Sequence, residues 1–246
     1  VSLSYSTGDV TGTTSTAGLV GSTTGVVETS YSTGDISGTT STGGLVGTTT
    51  GAVTTSYATG NITGVTHTGG LVANSTGSVT DSYATGTVVG AAGSSGGLVG
   101  TTTGAIATSY ASGSSATAIT KGLVGTTTAT VTNSYFDSTR NTGAGAGIGL
   151  STLEMKRLSN FAGFSISNTG TEAMVWRIYE GVTTPLLASF LAPVALTSVY
   201  SGAQPAVFDD ISGYISDVNL DVSKLISTSA GLTLSSSVTA GSATAT

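Results

Sequence analysis

Residues 55–86 read TSYATGNITGVTHTGGLVANSTGSVTDSYATG. The stretch closes on the SYATG with which it opens, and Gly-Gly-Leu-Val lies between the two copies. Outward from it, Ser-Tyr recurs at Tyr5, Tyr31, Tyr57, Tyr83, Tyr110 and Tyr135, in steps of 26, 26, 26, 27 and 25 residues. Gly-Leu-Val places leucines at Leu19, Leu45, Leu71, Leu98 and Leu123, in steps of 26, 26, 27 and 25. Two markers that hold one period over such a length identify an array or a solenoid. The consensus is G-x-V-x-x-S-Y-A-T-G-x-V-x-G, a variable gap, then G-G-L-V-G-T-T-T.

The unit is built of Thr, Ser, Val and Gly, which favour strands and turns over helices. Its apolar runs are short and bracketed by glycine, the residue that turns tolerate best. This predicts an all-β fold, a parallel β-helix (β-solenoid) of about 26-residue coils, each with three strands and three turns. Successive coils would stack ~4.8 Å apart through backbone hydrogen bonds, and equivalent residues would form ladders. Leucine at the GLV position predicts one inward aliphatic column. Val27, Val53, Val79 and Ile106 predict another. The small residues on either side of each tyrosine suit a narrow interior, and the tyrosines themselves predict an aromatic ladder whose face the sequence leaves open.

Composition bounds the partners. Only 7% of residues are charged, and the first 120 hold no Lys or Arg, only the acids Asp9, Glu28, Asp35 and Asp81. Nucleic acid is therefore not an expected partner, because phosphate binding needs basic groups. No apolar run is long enough for a membrane span. The absence of cysteine excludes a disulfide scaffold and a thiolate metal site, and fits an exported bacterial protein that crosses the envelope unfolded. The chain starts in mid-repeat, without an initiating methionine or signal peptide. It reads as a mature fragment of something longer.

The pattern divides the chain into 1–135, the repeats; 136–192, a capping segment with one helix at about 151–159; and 193–246, the start of a further β module or linker. In LSTLEMKRLSNF, Ser151 and Glu154 form a capping box, Leu150 and Met155 a hydrophobic staple, and Lys156 and Arg157 face solvent. A solenoid end exposes open strand edges and needs a cap. Trp176, Phe161 and Phe164 are expected to cover the last coil.

The unit resembles the GLUG repeat of large bacterial surface proteins. The following LSTLEMKRLSNFAGF…VWRIYEGVTTPLLASFL resembles the segment that follows such repeats in filamentous-haemagglutinin-like exoproteins. Together these likenesses span about residues 1–192. Past Pro193, VYSG is loosely similar to YDG-type and MBG-type modules. The resemblance implies a right-handed β-helix, two-partner secretion, tethering by an outer-membrane secretion partner, and a place at the bacterial cell surface. It implies adhesion to extracellular polysaccharide, host glycan or another cell-surface molecule. It carries no catalytic residues and no cofactor.

Chemistry-bearing residues are few. His67 is the only histidine and reads as an exposed turn residue. No HExxH is present, and one histidine cannot build a His-rich zinc site. GAGAGIG at 143–149 departs from the dinucleotide fingerprint and lacks a βαβ context, so it reads as a loop before the helix. Asp9, Asp35, Asn61, Thr87 and Ser114 fall one coil apart and read as a column of turn-capping side chains, with a weak cation site as the alternative. Threonine-rich triplets at 22–24, 48–50, 74–76, 101–103 and 126–128 raise an ice-binding solenoid, and the fold class raises a β-helix carbohydrate-active enzyme. Asn61 and Asn74 begin glycosylation sequons. The expectation is a non-enzymatic adhesive rod without cofactor or metal, its marked residues structural: the Tyr and Leu ladders, and Ser151, Glu154 and Trp176 in the cap.

Overall fold

At each Ser-Tyr marker the backbone turns a corner. The residue before the serine has positive φ in every coil: Leu3, Thr29, Thr55, Asp81, Thr108 and Asn133 lie between 43° and 48°. This bend swings the serine inward, where its hydroxyl serves two backbone groups. Ser82 Oγ donates to Thr80 O at 2.7 Å and accepts from Ser56 N–H, one coil back, at 3.2 Å. The same pair of bonds recurs at Ser30, Ser56, Ser109 and Ser134. Glycine closes the tyrosine strand for a different reason. A side chain at Gly60 would overlap the carbonyl of Gly34 in the coil before it, and Gly86 stands in the same relation to Gly60.

These corners generate a right-handed parallel β-solenoid of about five coils of roughly 26 residues. The computed structural model describes residues 1–90, 94–115, 120–169 and 173–193, and beyond these only the strand segments 196–199, 207–209, 214–216, 231–233 and 242–245. Side chains are described as far as Leu191. Each full coil has five short strands where the sequence suggested three. In the third coil these are Tyr57–Ala58, Ile62–Thr63, His67–Gly69, Val72–Ser75 and Val79–Thr80. Bends come so often that each apolar beat forms its own strand. Every pairing between coils is parallel and in register, as Tyr57 with Tyr83, Val53 with Val79 and Val72 with Val99.

The core is the expected pair of aliphatic columns and two more, one of them Val46, Val72, Val99 and Val124. Leu45, Leu71, Leu98 and Leu123 are fully buried, as are Val27, Val53, Val79 and Ile106. Ile36, Ile62 and Val88 form the fourth buried column. The small residue after each tyrosine faces this interior, at Ala58, Ala84 and Ala111. In the last coil that position is Phe136, whose ring lies against Gly122 and joins the aliphatic core. A large side chain where the five earlier tyrosines are followed by Ser or Ala plugs the interior at the end of the stack.

The 143–149 stretch is more than a loop. Gly143 O accepts from Gly122 N–H at 2.8 Å, and Ile148–Leu150 pairs with Tyr135–Asp137 as the seventh strand of the tyrosine sheet. The predicted helix is absent. Glu154–Lys156 and Leu158–Asn160 are single 3-10 turns separated by Arg157 in an extended conformation. The capping box does form: Ser151 N–H and Oγ each reach Glu154 Oε2 at 2.8 Å. It closes one turn only, because Leu158 N–H turns away to Glu180 Oε2 at 2.8 Å. A short helix is costly to nucleate, and here packing wins.

What that packing serves is the outer side of the tyrosine sheet. Tyr57, Tyr83, Tyr110 and Tyr135 form a second buried cluster with Met155, Phe161, Phe164, Trp176, Ile178 and Leu187. The tyrosines therefore point away from the aliphatic interior. Phe161 and Phe164 meet Tyr135, Trp176 lies against Tyr83 and Tyr110, and Phe190 sits edge-on to Tyr31 and Tyr57. The segment runs back along the flank of the stack, and Trp176 covers middle coils instead of the last one. Trp176–Arg177 pairs with Ile166–Ser167 and Leu186–Leu187 as a small sheet over this face. Further on, Leu191–Pro193 pairs antiparallel with Tyr214–Ser216.

Candidate binding groove

Along the flank the tyrosine rings stack nearly parallel. Their centroids are 5.2, 4.9, 4.9 and 5.1 Å apart from Tyr5 through Tyr110, with interplanar angles of at most 9°. Each ring face is covered by its neighbour, so the ladder offers ring edges and hydroxyls. Two residues beyond Tyr57, Tyr83 and Tyr110 lies a hydroxyl side chain, in turn Thr59, Thr85 and Ser112.

The flanking segment leaves part of this surface uncovered. A groove of about 400 Å³ runs along three coils, floored by Tyr57, Tyr83 and Tyr110 with Thr59, Thr85 and Ser112. Asp137, Arg140, Thr152, Lys156 and the 182–186 loop form its walls. The loop is anchored from below. Tyr110 Oη donates to Pro185 O at 2.6 Å and lies 3.1 Å from Thr184 Oγ1. Gly181, at φ 75°, donates its N–H to Lys156 O at 2.8 Å.

The electrostatics are one-sided. Asp137 is buried and saturated: Thr139 N–H and Arg140 N–H reach Oδ1 at 3.0 and 3.1 Å, and Thr152 Oγ1 donates to Oδ2 at 2.7 Å. Arg140 and Lys156 make no ion pair with a described residue. Glu154 lies nearby but is held by Ser151, which, ahead of the weaker pull of Arg157, keeps its carboxyl below the usual carboxylate range. Burial raises the Tyr83 phenol well above its ordinary pKa, and the neighbouring Tyr110 adds to the rise. Burial likewise raises Tyr110, against the opposing hydrogen bond from Thr184, and Tyr135 against its bond to Ala162 O. These phenols are neutral donors at any physiological pH. The Tyr83 hydroxyl makes no hydrogen bond to a described residue, although the residue is only 7% exposed.

The other marked residues do not converge on this groove. His67 lies in the strand His67–Gly69, half-buried and paired with Ser41, and is not a turn residue. The acidic column is a chain of hydrogen bonds between coils: Asp9 Oδ1 accepts from Asp35 N–H at 2.8 Å, Asp35 Oδ1 from Asn61 N–H at 2.7 Å, and Asn61 Oδ1 from Thr87 N–H at 3.0 Å. The Asn61 amide nitrogen also reaches the Asp35 carboxylate, at 3.2 Å. In the threonine triplets the first members Ser22, Thr48, Asn74, Thr101 and Thr126 stack in register from coil to coil. The middle members Thr49, Ser75 and Thr102 are buried, with hydroxyls donating to glycine carbonyls two residues on. The groove itself was not read from the sequence. Its floor is the Tyr-x-Thr beat, but its walls are side chains 27 or more residues further on.

Comparison with known proteins gives one likeness. The GLUG motif matches residues 64–89, one period of the repeat that passes once through all five sheets. No curated protein and no solved structure matches the chain.

Proposed function

We propose that this chain is part of a secreted bacterial surface adhesin, a β-helical rod that holds a binding surface away from the cell. The observation that carries this reading is the uninterrupted register of the coils, clamped from outside by the aromatic flank. Each added coil lengthens such a rod by ~4.8 Å. Backbone bonds, serine corners and aliphatic columns repeat without change, so length costs no new design. The GLUG likeness and the filamentous-haemagglutinin-like resemblance support a surface context, with export by the two-partner route. A non-catalytic role is supported by the way the acids are spent: Asp9, Asp35 and Asp137 accept backbone hydrogen bonds.

Partners in this reading are extracellular polysaccharide, host glycan or another cell-surface molecule, held by weak contacts that gain strength by repetition. The test is retention of whole bacteria, secreted polysaccharide and host glycans on the immobilised chain. Retention of at least one of these is expected. A chain that retains none, or that degrades a polysaccharide it meets, would overturn the reading.

A further inference from the structure

We propose that the groove over Tyr57, Tyr83 and Tyr110 binds an acidic polysaccharide, an extended β-1,4-linked chain bearing carboxylates, laid parallel to the solenoid axis. This deepens the adhesive reading and rests on it. Three independent features lead there.

The first is spacing. The floor repeats once per coil, with Tyr57 and Tyr83 rings 4.9 Å apart and Tyr83 and Tyr110 rings 5.1 Å apart. That is close to the advance of one pyranose ring in an extended β-1,4-linked chain. Successive sugars then meet an aliphatic hydroxyl from each coil, Thr59, Thr85 and Ser112, with the Tyr83 phenol at the middle coil. The second is unspent hydrogen bonding. Thr59 and Thr85 are half-buried, and their hydroxyls make no hydrogen bond to a described residue. The Tyr83 hydroxyl is in the same condition inside the groove. These hydroxyls border the open groove, where sugar hydroxyls would replace water as their partners. The third is charge. Arg140 and Lys156 line the wall against one carboxylate, Asp137, which is already saturated. In a chain with a formal net charge of −6, a wall with two cations that no described carboxylate pairs selects an anion.

The same geometry excludes a face-on mode. Sugar rings cannot stack on these tyrosines, because the ring faces are occupied by one another. Recognition is by edge and hydroxyl, with affinity set by the cations and the number of coils engaged. The volume, about 400 Å³, lies within the range of ligand pockets.

The experiment is calorimetric titration of the full chain with tetramannuronate, with the neutral tetramer mannotetraose beside it. Hyaluronan tetrasaccharide, whose linkages alternate β-1,3 with β-1,4 and whose carboxylates fall on every second sugar, tests the linkage. Tetramannuronate is expected to bind at least tenfold more tightly than mannotetraose, and less tightly as salt is raised. A tenfold or greater loss is expected in the variant Arg140→Gln with Lys156→Gln, and a several-fold loss in Thr85→Val, each with an unchanged melting temperature. Preference for hyaluronan over tetramannuronate would overturn the β-1,4 assignment, and the reverse supports it. Equal binding of acidic and neutral tetramers, no binding of either acid, or full binding by the Arg140/Lys156 variant overturns the proposal. Retention of bacteria by that same variant would leave the adhesive reading standing.

Discussion

The Ser82 hydroxyl satisfies a carbonyl in its own coil and an N–H in the coil before. Removing it leaves both without that partner in a site closed to water. Ser82→Ala is therefore expected to cost about 1–3 kcal/mol, measured as a lowered urea midpoint with an unchanged slope. A loss within error would show that water reaches the corner. The residue before the serine carries strain of the opposite kind. Thr55 is β-branched at φ 47°, a conformation in which Asn and Asp are favoured, and the equivalent positions in later coils are Asp81, Thr108 and Asn133. Thr55→Asn should raise stability by up to about 1 kcal/mol. A lowered midpoint would mean that the threonine makes a compensating contact.

At the level of elements, the flank shows tertiary packing overriding local preference. Ser151, Glu154, Leu150 and Met155 all fall at helix-start positions, and the capping bonds are present. Yet the chain uses one turn of 3-10 geometry on each side of Arg157, which brings Met155, Leu158 and Phe161 onto the tyrosine face. Trp176 is the keystone of that contact: it is fully buried, and its indole N–H reaches Asp81 Oδ1 at 3.3 Å. Trp176→Ala is expected to cost about 3–5 kcal/mol. Limited proteolysis should then cut within 150–190 before it cuts the repeats. Simultaneous loss of both regions would show that the solenoid depends on its flank. The last coil illustrates the reverse, where one residue redirects an element. SYFD in place of SYAT puts Phe136 into the interior and ends the stack.

For the molecule as a whole, the tyrosine ladder ties stability to alkaline pH. The phenols of Tyr83, Tyr110 and Tyr135 are raised by burial, while in the unfolded chain they titrate near pH 10. Below about pH 10 both states keep the protons, and the ladder's contribution is complete. Above it the unfolded chain releases protons that the folded one retains, so stability falls as pH rises toward the folded values. The melting temperature should decline steadily above about pH 10, with ionisation of Tyr83 and Tyr110 appearing together with unfolding. Ionisation of Tyr83 or Tyr110 near pH 10 with the fold intact would contradict the buried ladder.

Periodicity by itself determined the solenoid, its coil length, the leucine and valine columns and the tyrosine stack, because a parallel register places residues one period apart on top of one another. It did not reveal five strands per coil, since the corners depend on positive-φ residues as different as Leu3, Thr29 and Asp81. Nor did it show which way the tyrosines point, because the bend at the serine breaks the alternation by which a strand's faces are read. The tertiary structure alone decided the flank and the groove. Their walls come from a segment with no repeat, folded back by the aromatic surface it covers, and no local pattern in Arg140 or Lys156 records that they will stand beside Tyr83.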